Sequence, residues 1–185
     1  MSMRIKLFVA LPSEFPKEKA PMGVDVIYTG VGKVNAAIKA TEVLKECNPT
    51  ETIIINFGSA GSFIFGVGTL VRCDRFEQGD INTKPFAKKT ITPFDELIYP
   101  KIEKGELKFG DDVLCVTRDQ FQSNVKDSIC DMEAYSIAKV CKIYGFNFVS
   151  YKFISDKGDA NDWKENHNKG VEKFLQRLKE DFKVG

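Results

Sequence analysis

The stretch "ETIIINFGSAGS", Glu51–Ser62, changes character within two residues. Its first half is β-branched and aromatic, which is typical of a strand that is buried on both faces. Its second half, Gly58–Ser62, carries almost no side-chain bulk. We interpret this second half as a loop after the strand. The loop is either a simple turn or a bare floor on which a ligand lies close to the backbone.

Strands and helices alternate on both sides of this stretch. Strand-like runs cover Arg4–Leu11, Val24–Gly30, Gly68–Phe76, Asp111–Thr117 and Phe146–Ile154. Apolar residues at helical spacing occupy Lys33–Glu46, Met132–Tyr144 and Val171–Phe182. The alternation predicts one α/β domain over residues 1–185, with a three-layer α/β/α arrangement around a central mixed, largely parallel sheet. In such sheets ligands bind outside the carboxyl ends of the strands.

The first predicted helix begins at Lys33 and runs to about Glu46, where Asn48-Pro49 stops it. Its apolar stripe consists of Val34, Ala37, Ile38, Thr41 and Leu44. The last predicted helix is amphipathic over Val171–Phe182, so we expect it to pack on the core and not on a membrane.

The charge balance excludes several classes of partner. Lys and Arg number 27 and Asp and Glu number 26, which gives a net charge of +1 and argues against a nucleic acid or a membrane surface as partner. No apolar run approaches the ~20 residues of a membrane span. The start, "MSMRIKLFVALPSEF", is apolar over too short a distance for a signal peptide and has no small-residue cleavage site.

The cysteines do not form a metal site or a disulfide framework. There are five, an odd number without a CxxC pair, and His167 is the one histidine. This set is not a zinc pattern. Reduced, buried cysteines are typical of a reducing compartment, so we predict a cytoplasmic protein without a metal or another cofactor.

The stretch "TGVGKVNAA", Thr29–Ala37, invites a nucleotide-loop interpretation that its spacing does not support. A P-loop needs Gly and Ser or Thr where this chain has Ile27 and Val34. A dinucleotide fingerprint needs Gly where this chain has Asn35. We therefore expect a tight glycine turn between a strand and a helix.

Three carboxylates lie at the ends of predicted elements. Glu14 follows the first strand, Glu133 lies in the first turn of a helix, and Asp156 ends a strand. Carboxylates in such positions are often only turn or cap residues. They can also converge at one mouth of the sheet. Cleavage of a bond at a sugar carbon needs such a set: an acid for the leaving group, a base for water and an acceptor for a ribose hydroxyl.

Four stretches together resemble a known family. "TGVGKVNAA", "IINFGSAGS", "DMEAYSIAKVC" and "FISDKGD" occur in the order and roughly the spacing of the nucleoside phosphorylase superfamily, and are most similar to its methylthioadenosine/S-adenosylhomocysteine nucleosidase branch. The resemblance implies a single α/β domain around a mixed sheet. It also implies hydrolysis of the N-glycosidic bond of an adenine nucleoside, such as methylthioadenosine, S-adenosylhomocysteine or a related 5′-substituted nucleoside, with a role in methionine salvage.

By position, the resemblance also implies a substrate-binding set. Ser59, Ala60 and Gly61 of "GSAG" would line the nucleoside site. Met132 of "DMEA" would pack on the ribose, and Phe121 of "TRDQF" would cover the base.

The implied catalytic set consists of the three carboxylates. Glu133 would accept a hydrogen bond from the ribose 2′-hydroxyl, and Asp156 would supply the proton to the departing base. Ser155, next to Asp156, would also face the purine. Glu14 of "ALPSE" takes the place of the carboxylate that activates water.

Two other functions stay open at this point. Sister enzymes of the superfamily use phosphate in place of water, but the position often held by arginine in those phosphorylases is Asn56, and Glu14 would repel phosphate. Lys152 stands where the nucleosidase branch commonly has arginine. A shortened member that binds a nucleoside without cleaving it is the third hypothesis. The resemblance further implies a homodimer that takes a small-molecule nucleoside as substrate.

Two conspicuous residues are expected to play no part in the chemistry. His167 lies among polar neighbours and is predicted to face solvent. Trp163, at the presumed start of the last helix, is predicted to pack or to cap that helix, not to stack on a base.

Overall fold

The structure is a computed structural model that describes residues 4–102, 106–121 and 129–184. Its strands are β1 (Arg4–Val9), β2 (Val24–Tyr28), β3 (Thr52–Ser62), β4 (Leu70–Gln78), β5 (Leu107–Lys108), β6 (Val113–Thr117), β7 (Ile129–Asp131) and β8 (Asn147–Asp156). Its helices are α1 (Lys33–Leu44), α2 (Asp95–Ile98), α3 (Ala134–Tyr144), α4 (Ala160–Asn166) and α5 (Val171–Phe182), with a 3-10 turn at Lys17–Lys19. None of the helices in this described part has the length and apolarity that a bilayer crossing requires.

All of these strands belong to one mixed sheet. The order β2-β1-β3-β8 is parallel throughout, and β4-β6-β7 is also parallel. The two groups meet in antiparallel fashion, because β4 pairs with β8 and β7 pairs with β3. The pairings therefore close a ring, β3-β8-β4-β6-β7, which the sequence analysis did not predict. The predicted mixed, largely parallel sheet is confirmed.

Helices cover both faces of the sheet, which confirms the predicted three-layer arrangement. On one face α1 and α3 pack over a core that includes Ala36, Ala40 and Leu44. On the other face α5 packs through Phe174, whose ring stacks on Phe57 with centroids 4.3 Å apart. Burial of such apolar side chains stabilises each layer by about 1.5–3 kcal/mol per large residue.

The stretch Gly58–Ser62 is not a loop, as the sequence analysis expected, but the continuation of β3. It pairs with β8, with a register shift between Ala60 and Gly61. Its small size has a different cause. A Cβ at Gly58 would lie 3.5 Å from Oε1 of Glu14, and one at Gly61 would lie 3.0 Å from Oδ1 of Asp156. Gly61 therefore makes room for Asp156 within a continuous strand, whereas a Cβ at Gly58 would be in ordinary contact with Glu14.

The apolar stripe predicted for α1 does not mark its buried face. Val34 is 69% exposed and Ile38 is 54% exposed, whereas Ala36 and Ala40 are buried. Small residues let α1 approach α3 closely, so Val34 and Ile38 point outward, while Leu44 at the end of the stripe is buried as predicted. The helix itself, over Lys33–Leu44, is as predicted.

The helical C-terminal region is interrupted. A short helix, α4, precedes α5 and is separated from it by residues 167–170. Asp159 caps α4 by accepting hydrogen bonds from the backbone N–H groups of Asn161 and Asp162, at 2.7 and 3.3 Å. Trp163 belongs to α4 and not to the last helix.

Candidate active site

A cavity of about 220 Å³ lies where β1, β3, β7 and β8 end. Glu14, Glu133 and Asp156 all line it, although they are far apart in the chain. Each of the three is almost completely buried as a residue. The carboxylates that the sequence analysis selected are thus brought together at one mouth of the sheet.

Glu14 is held by backbone and side-chain donors. Its Oε1 accepts hydrogen bonds from the backbone N–H of Ser59 at 2.9 Å and from the Ser59 hydroxyl at 2.6 Å. Its Oε2 accepts from the backbone N–H of Leu11 at 3.3 Å. The neighbouring Phe15 is buried in the core and fixes this segment, despite Pro16 after it. These donors satisfy a negative charge on Glu14 and orient its carboxylate.

Asp156 is held at the last position of β8. Its Oδ1 accepts a hydrogen bond from the backbone N–H of Gly158 at 2.7 Å, and its Oδ2 accepts from the Ser155 hydroxyl at 2.7 Å. Ser155 is fully buried and is not among the residues that line the cavity. The structure therefore does not bring Ser155 to the cavity surface, and its role toward the base stays a prediction. Its hydroxyl is used to hold the carboxylate of Asp156.

Glu133 lies at the N-cap of α3, one position before the first turn in which it was predicted. Its Oε1 accepts a hydrogen bond from the backbone N–H of Gly32 at 2.9 Å, which ties it to the start of α1. Burial, together with the negative charge of Asp131, raises the pKa of Glu133 to about 8, against the opposing effects of Lys152 and the Gly32 N–H. Glu133 is thus a carboxyl group whose charge is sensitive to what occupies the cavity.

A buried ion pair lies under the carboxylates. Nζ of Lys152 is 2.7 Å from Oδ2 of Asp131, and the two side chains are 1% and 0% exposed. Burial opposes both charges. The charge of Lys152 nevertheless holds the pKa of Asp131 below its usual value, and the charge of Asp131 raises the pKa of Lys152 well above its usual value. Asp131 also accepts hydrogen bonds from the Thr117 hydroxyl at 2.6 Å and from the backbone N–H groups of Ala134 and Glu133 at 2.8 and 3.2 Å.

The predicted substrate-binding residues lie around the same cavity, apart from Ser155. Ser59, Ala60 and Gly61 line it from β3, and Met132 lines it beside Glu133. Phe121 also lines it and is 49% exposed, which places this ring at the rim. It is the last described residue before the gap at 122–128.

The sequence analysis missed Trp163. Its side chain lines the cavity, and its Nε1–H donates a hydrogen bond to the Ser59 hydroxyl at 2.9 Å. The ring of His167 stacks on it at 4.5 Å and is only partly exposed, so the prediction of a solvent-facing His167 is wrong as well. The available signal was that Trp163 is the chain's one tryptophan and follows Asp156 closely in the sequence.

The partnership of Asp131 with Lys152 was also missed. Lys152 occurs within a strand whose neighbours are aromatic or aliphatic, "SYKFI". A lysine at such a place needs a buried acidic partner, because an unpaired charge in the core is costly. Asp131 was a candidate for this partner, because it begins the motif "DMEA" beside Met132 and had been assigned no other role.

The cavity can support acid–base chemistry on an uncharged substrate. Two carboxylates held by different donors, with a third of raised pKa, provide proton donors and acceptors around a small apolar floor. Among the described residues, no group of three or more His, Cys, Asp and Glu side chains is arranged to hold a metal ion.

Known proteins resemble this chain in sequence and in fold. The 5′-methylthioadenosine/S-adenosylhomocysteine nucleosidase of Shewanella halifaxensis is 28% identical over 167 residues, which cover 74% of this chain and 70% of that protein. A mutant Helicobacter pylori nucleosidase with 5′-methylthioadenosine in its active site has a TM-score of 0.80 at 16% identity, with 98% and 100% of the two chains covered. The Colwellia psychrerythraea nucleosidase, in complex with adenine, has a TM-score of 0.70 at 21% identity, with 91% and 89% covered.

The two structural likenesses concern the fold. A family model decides membership, because the model of the phosphorylase superfamily matches residues 23–183, which is most of the chain. The match spans α1, the whole of β3 and the segments that carry Glu133 and Asp156. The resemblance found in the four sequence stretches is confirmed, and the chain belongs to the phosphorylase superfamily.

Proposed function

We propose that this protein hydrolyses the N-glycosidic bond of an adenine nucleoside with a substituted 5′ position, such as methylthioadenosine or S-adenosylhomocysteine. The observation that carries the proposal is the convergence of Glu14, Glu133 and Asp156 on one cavity. The names of its relatives, which are nucleosidases for these two compounds, support the choice of substrate. We also propose a role in methionine salvage, which the resemblance of the four sequence stretches implies.

Each carboxylate has a role that its surroundings support. Asp156 gives a proton to the departing base, because a leaving purine carries negative charge that protonation removes. Glu14, oriented by the backbone N–H and the hydroxyl of Ser59, takes a proton from the attacking water. Glu133 accepts a hydrogen bond from the ribose 2′-hydroxyl. Burial raises its pKa to about 8, and the positive charge that develops on the sugar favours its ionised form, which then stabilises that charge.

Water is favoured over phosphate as the acceptor. None of the described residues that line the cavity is Lys, Arg or His. Asn56, at the position often held by arginine in phosphorylases, instead donates to the backbone carbonyl of Phe8 at 3.0 Å and accepts from the Ser150 hydroxyl at 2.7 Å. Lys152 is paired with Asp131, and Glu14 would repel an anion. A phosphate dianion would therefore find no free cation among the described residues of this site.

We expect adenine release from methylthioadenosine to change less than about twofold between phosphate-free buffer and 50 mM phosphate, because water is the nucleophile. Coupled detection of adenine measures the rate, and chromatography identifies the sugar product as the free sugar. A strict requirement for phosphate, with a sugar 1-phosphate as product, would establish a phosphorylase. Binding of adenine without release from any tested nucleoside would establish a binding protein.

We also propose that the protein is a homodimer, supported by an exposed apolar surface. This surface consists of Val34 and Ile38 of α1 and of Phe63, Ile64 and Val67 between β3 and β4. Both groups lie near the carboxyl ends of the strands, on the side of the cavity. Exposed apolar residues in such number are typical of a protein interface.

We expect Ile38→Glu to weaken the dimer by about 10- to 100-fold, because it places a charge in an apolar contact. Sedimentation equilibrium measures the dissociation constant. Met22→Glu is the matched control, since Met22 is 89% exposed and precedes β2 at the opposite end of the sheet. Equal effects of the two changes, or a monomeric wild type, would contradict the proposed interface.

The remaining proposals concern organisation and location. We propose that residues 1–185 form a single functional domain, supported by the one sheet that joins all of the described strands and by the cavity at its edge that all three carboxylates line. We further propose a cytoplasmic location, supported by the free state of all five cysteines. Cell fractionation checks the location.

A further inference from the structure

We propose that Trp163 is a positioning residue, which orients the carboxylate of Glu14 through the hydroxyl of Ser59. The inference rests on the proposed function, because it concerns the group that activates water. Its basis is a chain of two hydrogen bonds along one wall of the cavity. The Trp163 Nε1–H donates to Oγ of Ser59 at 2.9 Å, and the Ser59 hydroxyl donates to Oε1 of Glu14 at 2.6 Å.

The direction of this chain is determined by chemistry. An indole N–H can donate but cannot accept, so Oγ of Ser59 must be the acceptor from Trp163. The hydroxyl then has its single proton left for another partner, and the carboxylate of Glu14 lies within reach. Without the indole N–H, Oγ of Ser59 loses one of its two side-chain partners among the described residues and is held only by the carboxylate to which it donates. Trp163 therefore fixes the position of the Ser59 hydroxyl through a second contact besides Glu14.

The indole is held firmly enough for this role. Asp159 caps the first turn of α4, and Asn166 at its end donates to the backbone carbonyl of Ser155 at 3.0 Å. His167 stacks on the indole at an interplanar angle of 21° and contacts the backbone carbonyl of Trp163 through Nδ1 at 3.1 Å. The first turn of α4 is thus capped, and its last residue is attached directly beside Asp156.

The expected effect is moderate. Glu14 keeps the backbone N–H groups of Ser59 and Leu11 as donors when Trp163 is altered. Loss of the indole N–H therefore loosens the carboxylate without releasing it. We expect kcat to fall about three- to tenfold, which is the range for the loss of one hydrogen bond between neutral groups, with KM changed less than about twofold.

The test uses the fact that the chain has one tryptophan. Production in a tryptophan auxotroph replaces Trp163 alone, either with 3-benzothienylalanine, in which sulfur takes the place of N–H, or with 5-fluorotryptophan, which keeps the N–H. Ring size and stacking on His167 stay nearly the same in both proteins. We expect the benzothienyl protein to show the loss in kcat and the fluorotryptophan protein to keep the wild-type value within about twofold.

A second arm tests whether the effect passes through Glu14. In a Glu14→Gln background the benzothienyl substitution should cost less than about twofold, because residues that act as one unit are not additive. Equal kcat values for the benzothienyl and fluorotryptophan proteins would overturn the proposal. The same full loss in the Glu14→Gln background would also overturn it, since Trp163 would then act elsewhere.

A third arm separates this proposal from the proposed function. The single indole Hε1–Nε1 signal in a ¹H–¹⁵N spectrum reports the bond to Ser59, and in Ser59→Ala it should move upfield and exchange faster with solvent. An unchanged signal in Ser59→Ala would overturn the chain of hydrogen bonds. A wild-type protein that cleaves no nucleoside would overturn the proposed function. The indole signal would still show whether Trp163 is hydrogen-bonded to Ser59.

Discussion

Asp156→Asn is expected to lower kcat for adenine release by about 10²- to 10⁴-fold, which is the contribution of a well-placed general acid. The change removes only the proton that the departing base requires. Asparagine has the same shape, and its amide oxygen can still accept the hydrogen bond that the Gly158 N–H donates to Oδ1 at 2.7 Å. Its amide nitrogen can donate to the Ser155 hydroxyl, which reverses the direction of that bond.

Because the hydrogen-bond partners are kept, the fold should be unaffected and adenine should still bind. Steady-state kinetics measure the loss in kcat, and calorimetric titration with adenine measures binding. Asp162→Asn is the matched control, since Asp162 is an exposed carboxylate of α4 outside the cavity lining. It should keep the wild-type rate. Full turnover by Asp156→Asn would mean that the proton for the leaving group comes from another residue.

The sequence was sufficient for the fold class because its periodic signals are local. A buried run such as Ile53–Phe57 and an amphipathic helix such as Val171–Phe182 carry their pattern within a few residues. The glycine-rich continuation of β3 was misread for a physical reason. Small residues indicate a turn when only local propensity is considered, but here they lie against Glu14 and Asp156, which arrive from distant parts of the chain. The ring of strands depends on pairing between distant segments, so it could not be predicted from local sequence patterns either.

The residues of the candidate site were also only partly predictable from the sequence. Glu14, Glu133 and Asp156 could be selected because carboxylates at element ends converge in an α/β sheet. The residues that act on them were missed, because a hydrogen bond such as Trp163 to Ser59 spans 104 positions and leaves no local pattern. Ser155 lies outside the cavity lining although it is adjacent to Asp156 in sequence, because its hydroxyl donates to that carboxylate.

Lys152→Met is expected to lower the free energy of unfolding by about 3–5 kcal/mol at neutral pH, because it leaves the charge of Asp131 buried without a partner. Methionine is also unbranched and close in volume to the lysine stem, so the loss does not come from a cavity. Urea unfolding measures it. Lys6→Met is the matched control. Lys6 pairs with Asp25 at the same 2.7 Å, but these side chains are 23% and 58% exposed, so the cost there should stay below about 1 kcal/mol.

The pH dependence distinguishes charge from packing. In the wild type the pKa of Asp131 is lowered, so the pair contributes stability above the usual range of an aspartate, and this contribution is lost as the pH falls. In Lys152→Met the unpaired carboxyl should instead take up a proton more readily when folded. The deficit in the free energy of unfolding against the wild type should therefore shrink toward pH 4.

Adding Asp131→Asn should recover at least half of this deficit at pH 7, since an amide can keep the bonds to Thr117 or Ala134. A deficit that is independent of pH and unchanged in the double variant would show that Lys152 stabilises the protein through packing alone.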